Sequence, residues 1–100
     1  MSDLTQATLE WANEIRVANG RPKMRSMPRG RYGHLECPLA VALGAYVGKK
    51  KLRIVWDGNA VVREMPQVVQ EFVRAFNNGE LPELERPGAP LKPSWRKQKR

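Results

Sequence analysis

Leu4, Thr8, Trp11, Ile15 and Ala18 follow one another at spacings of four, three, four and three, which puts them on one stripe of a first helix. Ser2 or Asp3 stands where a side chain would cap the first free amides. Gly20 offers a left-handed stop, and Pro22 blocks continuation. Leu9 and Val17 fall outside the stripe and would extend the buried face or a partner surface. From Gly20 to His34 no period is visible. Pro22, Pro28, Gly30 and Gly33 break the segment, and Met24, Met27 and Tyr32 are its only candidates for anchoring to a core.

Cys37-Pro38 opens a second helix, since proline suits the first helical position. Pro38 to Val47 is almost wholly apolar, as in a helix buried all round, with Gly44 and the alanines allowing close approach and Gly48 ending it. Leu52 to Trp56 and Ala60 to Glu64 bracket Asp57-Gly58-Asn59, a hairpin signal. A turn on either Asp57-Gly58 or Gly58-Asn59 places Ile54, Trp56 and Val61 on one sheet face and Val55 and Val62 on the other. Pro66 marks a third helix with Met65, Val69, Phe72 and Phe76 as its stripe, widened by Val68 and Val73. Gln67, Gln70, Glu71 and Arg74 form its outer face, and Asn78-Gly79 its stop. Leu81 and Leu84 then dock a short acidic extension on the core. The expected fold is α+β, three helices around a two-stranded antiparallel hairpin in the order α-α-β-β-α. It occupies residues 1–85, and residues 86–100 form a Pro-rich, basic and mobile tail.

Composition narrows the class. One hundred residues with 41% apolar content suffice for one modest core. The single cysteine, Cys37, forms no internal disulfide, as in a reducing compartment. The first ten residues lack a signal-peptide pattern, and no apolar run has the length of a membrane span. A soluble cytoplasmic protein without membrane partners is expected.

Charge is the most uneven feature of the composition. The net charge is +8, and 15 of the 18 Lys and Arg lie in three acid-free stretches, Arg21 to Arg31, Lys49 to Arg53 and Arg86 to Arg100. Clustered cations favour polyanions because binding releases condensed counterions. The candidate contacts are Arg21, Lys23, Arg25, Arg29 and Arg31 of the loop, with Tyr32 for stacking. Lys49, Lys50, Lys51 and Arg53 follow, then Trp95, Arg96 and Lys97 of the tail. The bland readings stand beside these: a solvated loop pinned by Met24, Met27 and Tyr32, and a lysine triplet placed against the negative end of the second helix dipole.

Catalytic chemistry is sparse. His34 and Cys37 have a His-x-x-Cys spacing, but zinc usually takes four ligands and the chain has no other His or Cys. Cys37 reads as a small apolar or capping residue more readily than as a nucleophile. Glu80, Glu83 and Glu85 read as a solvated face, and Gly30 and Gly33 lack the strand-to-helix setting of a phosphate loop. No catalytic residue, metal or cofactor is assigned, and no enzymatic activity is expected. A winged-helix arrangement would put the second helix in the recognition position. Its Leu, Val and Ala offer nothing to base edges, so contacts would be sequence-tolerant ones to phosphates.

Glu36-Cys-Pro-Leu-Ala-Val-Ala-Leu-Gly44, followed by Val69-Gln-Glu-Phe-Val-Arg-Ala-Phe-Asn-Asn-Gly-Glu-Leu-Pro-Glu-Leu84, resembles small uncharacterised proteins of actinobacterial phages, of mycobacteriophage type. The similarity runs from about Trp11 to Leu84 and rests on core and boundary residues. It implies a phage product made in a bacterial cytoplasm and carries over no active site. Two functions are therefore expected in competition. One is non-enzymatic nucleic-acid binding through basic loops and tail. The other is a module that binds and perturbs a host protein.

Overall fold

The computed structural model describes residues 3–86. Ser2, and the tail residues Trp95, Arg96 and Lys97, lie outside the described residues. Helix α1 (Asp3–Ala18) is followed by a long connection, helix α2 (Pro38–Leu43), strands β1 (Ala45–Val47), β2 (Lys51–Trp56) and β3 (Asn59–Glu64), helix α3 (Gln67–Asn77) and a 3₁₀ turn at Pro82–Leu84. The fold is α+β, with a three-stranded antiparallel sheet in the order β1-β2-β3.

The third strand corrects the sequence expectation of a two-stranded hairpin. Pro38 to Val47 was expected to be one helix, but α2 ends at Leu43 because Gly44 takes the left-handed conformation, with φ 58° and ψ 41°. The next three residues pair with β2, with Ala45 opposite Ile54, Tyr46 opposite Arg53 and Val47 opposite Leu52. A short apolar run does not by itself distinguish helix from strand. Here a left-handed glycine and an open sheet edge decide it. Lys49 to Lys51 consequently follow a strand rather than a helix end, and the expected dipole role of the triplet is lost. Glycine 48 closes the turn they occupy, its N–H donating to Lys51 O at 2.9 Å.

The hairpin turn and the stops of α1 and α3 appear where the sequence places them. Asp57 and Gly58 both have positive φ, 54° and 81°, as the tight turn between Trp56 and Asn59 requires. Ile54 faces Val61 across β2 and β3. Both long helices end on glycine. Gly20 N–H donates to Val17 O and Arg21 N–H to Arg16 O, while Gly79 N–H donates to Phe76 O and Glu80 N–H to Ala75 O. These paired bonds satisfy the last helical carbonyls.

One core joins the elements. Leu9, Ala12 and Ile15 of α1, Leu39 and Leu43 of α2, Val47, Leu52 and Ile54 of the sheet, and Val69, Phe72 and Phe76 of α3 are all buried. Leu81 and Leu84 close one end, as their spacing suggested. The buried face of α1 keeps Thr8 and Ile15 of the expected stripe but is turned toward Thr5, Leu9 and Ala12, which are also buried, while Leu4 and Trp11 are partly covered and Ala18 and Val17 face solvent. Among the described residues β3 is an edge strand, and Arg63, opposite Leu52 on the core-facing side, remains exposed. A charge at that position discourages further strand pairing.

The long connection is held tightly. Asn13 donates through Nδ2 to Met24 O at 3.0 Å and accepts from Met24 N–H at 2.8 Å. Arg16 donates to Pro22 O through Nε and to Ala42 O through Nη1. Met27 is buried, with Met24 and Tyr32 packed against the core. Gly30 pairs with the segment after the 3₁₀ turn: its N–H donates to Leu84 O, and Arg86 N–H donates to Gly30 O, both at 2.9 Å.

Gly30 also lies against the Glu36–Pro38 backbone, where a β-carbon would collide with Glu36 O and stand 2.8 Å from Cys37 C and Pro38 N. Gly20, with φ 76°, has nothing within 4 Å of its missing β-carbon. Gly20→Ala should therefore cost only the left-handed penalty of about 1–2 kcal/mol. Gly30→Ala, which must move backbone, should cost more than about 3 kcal/mol. Denaturant midpoints of the two variants check this order; equal losses would mean that the crossing at Gly30 is loose.

Candidate functional site

A half-open groove of about 520 Å³ lies between the β1–β2 turn and the C-terminal half of α3. Val47, Gly48, Lys49 and Lys50 form one wall, and Gln70, Val73, Arg74, Asn77 and Asn78 the other, with His34 at the margin. Three permanent cations line it and, among the described residues, no carboxylate does.

Local bonds fix this arrangement. Met65 N–H donates to Lys50 O at 2.8 Å, and Gln70 Nε2 donates to Met65 O at 2.8 Å. The start of α3 is thus tied to the lysine turn. Successive turns of α3 then carry Gln70, Arg74 and Asn77 along one side, at spacings of four and three. The C-terminal carbonyls of α3 contribute roughly half a negative charge, outweighed by three nearby cations.

His34 is clamped to β1. Val47 N–H donates to His34 O at 2.9 Å, and the ring Nδ1 lies 2.7 Å from Val47 O. A carbonyl only accepts, so Nδ1 carries the proton in this bond and Nε2 is the ring's remaining polar atom. The imidazole stacks on Tyr46, with centroids 4.9 Å apart and planes 17° from parallel. Tyr46 stands on the sheet face away from the core, opposite Arg53, which is itself opposite Val62.

The sequence-derived cations divide into groups. Lys49 and Lys50 line the groove; Lys51 and Arg53 are exposed on the outer sheet face, Lys51 opposite Glu64. The loop cations do not join them. Arg21 sits 4.2 Å above the Trp56 ring, on the core-facing side of the sheet. Lys23 borders a shallow hollow with Glu10 and Glu14. Arg25 and Arg29 are exposed, and Arg31 is half-buried, its N–H on the main chain donating to Glu36 O at 2.7 Å. Tyr32 is engaged internally, with its hydroxyl donating to Glu85 at 2.7 Å and its ring 5.5 Å from that of Phe76.

Sequence reasoning missed His34, Tyr46, Arg74, Asn77 and Asn78 as groove or face residues. The carboxylate-free polar row Gln70, Arg74, Asn77 was the available signal on α3. Among the described residues, no helix is long and apolar enough to cross a membrane.

Cys37 takes no part in the groove. It is buried, and desolvation pushes its thiol above the ordinary value, partly opposed by bonds from the α2 backbone. Its folded pKa being raised, the thiol adds no instability at neutral pH; stability falls once alkaline pH ionises the unfolded thiol while the folded one keeps its proton. Native protein at pH 8 should resist thiol reagents and react fully only in denaturant. Rapid labelling of the native protein would show that the side chain is accessible.

Comparison of the chain with protein-family models, with curated proteins and with solved structures finds no match.

Proposed function

We propose that this protein binds nucleic acid without catalysis, through phosphate contacts anchored in the groove between the lysine turn and α3. The observation that carries this reading is the convergence of Lys49, Lys50 and Arg74 on one concavity lined by no carboxylate among the described residues. Cations placed so close repel one another, and a polyanion relieves that repulsion while releasing its own counterions. The amide side chains of Gln70, Asn77 and Asn78 supply donors that suit phosphate oxygens but recognise no base. The exposed Arg25 and Arg29, and the six cations from Arg86 to Arg100, add sequence-independent attraction.

Binding should weaken steeply with salt and vary little with sequence. Polarisation titrations of a labelled oligonucleotide at several salt concentrations measure both. The Lys49→Gln/Lys50→Gln/Arg74→Gln variant should keep its circular dichroism and lose about 2 from the log–log salt slope, at roughly 0.7 per phosphate contact on a single strand. Arg25→Gln/Arg29→Gln should change the slope less. Absence of binding at low salt would refute the proposal, and nuclease-resistant recovery of one host protein would favour the competing protein-partner reading.

A further inference from the structure

One residue, His34, joins the groove to an exposed aromatic platform. His34 lies at the groove margin and stacks on Tyr46, which is 49% exposed on the outer sheet face. Across the strands from Tyr46 stand Arg53 and then Val62, which is 58% exposed. Among the described residues this sheet face leaves Tyr46, Val55 and Val62 exposed around Arg53, a surface that calls for an occupant. Three candidates present themselves: a second copy of the chain, an apolar protein surface and unpaired bases.

Charge decides among them. Arg53 sits at the centre of the face, beside Tyr46, and the adjoining groove brings Lys49, Lys50 and Arg74. A second copy would set these cations against their own images, which costs free energy unless acidic groups intervene. Among the described residues Glu64 is the face's one carboxylate, and it stands opposite Lys51. A nucleic-acid strand satisfies both parts of the surface, with phosphates on the cations and bases on the rings. Duplex bases are already stacked on one another and present only their edges, so a duplex leaves the platform unused. Resting on the nucleic-acid reading of the groove, we infer that the preferred ligand is a single strand, with phosphates held at Lys49, Lys50 and Arg74 and a base stacked on the His34–Tyr46 pair.

His34, fixed through its main chain and Nδ1 to Val47, props the Tyr46 ring from one side. A base lengthens the stack, and Arg53 lies within the same row to meet the sugar–phosphate chain or the base face. Stacking on an aromatic side chain tolerates every base, which agrees with a groove that reads only phosphate.

The test compares a labelled 12-nucleotide single strand with the matching duplex, using the full chain at one fixed salt concentration. The single strand should bind at least about tenfold more tightly, and Tyr46→Ala should weaken it by roughly tenfold while leaving duplex binding unchanged. Tyr46→Phe should restore single-strand affinity, and Tyr46→Leu should not. Equal affinity for the two ligands, or an unaffected Tyr46→Ala variant of native circular dichroism, overturns the inference while leaving phosphate binding by the groove intact. Loss of binding to both ligands in the wild-type chain overturns the groove reading itself. If Tyr46→Ala converts a dimer to a monomer in sedimentation, a second copy covers the face and the inference fails.

Discussion

The close crossing of backbone at Gly30 is the constraint on which the arrangement depends. At this position the connection after α1 passes directly against the Glu36–Pro38 peptides and pairs with Leu84 and Arg86. No side chain fits there. Over the next four residues the chain places Tyr32 on Phe76, Gly33 N–H within 3.4 Å of Asn77 Oδ1, and His34 on Val47. Those contacts bind the segment to α3 on one side and to β1 on the other. The groove margin and the stacked ring pair are therefore downstream consequences of a contact between main chains in the interior.

The same scaffold sorts the protein's positive charge. Some cations act in folding: Arg16 bonds the carbonyls of Pro22 and Ala42, and Arg21 covers the Trp56 ring. An Arg over an aromatic face contributes about 0.5–2 kcal/mol, comparable with a helix cap. Lys49 and Lys50, by contrast, stand on a short turn whose main-chain bonds are closed by Gly48 and Met65, leaving their side chains at the groove. The positive charge thus divides into a structural portion, at Arg16 and Arg21, and a portion at the groove, at Lys49 and Lys50.

Much of this was legible in the sequence. The stripe of α3 and the Asp57-Gly58 turn carry strong local signals, and both appear where periodicity and turn chemistry place them. The anchoring of the long connection by Met24, Met27 and Tyr32 was legible as well. Helix α2 was read too long because apolar residues continue through Val47, and the strand character of Ala45–Val47 depends on a partner, β2, later in the chain. That one error hid Tyr46, which a buried helix would have enclosed and an edge strand exposes. Arg74 was hidden for a different reason. It is an ordinary polar residue on an amphipathic helix until Met65 and Gln70 tie that helix to the lysine turn, a tertiary event with no local signature.

Amide chemical-shift mapping during titration with a short single-stranded oligonucleotide tests the proposed surface most directly. One saturable event should move Gly48 to Lys50, Arg74 to Asn78, His34 and Tyr46 together, with the Lys23 to Arg29 segment changing little. Shifts confined to Lys23–Arg29, with the groove and Tyr46 silent, would contradict the assignment of the groove and sheet face as the binding surface.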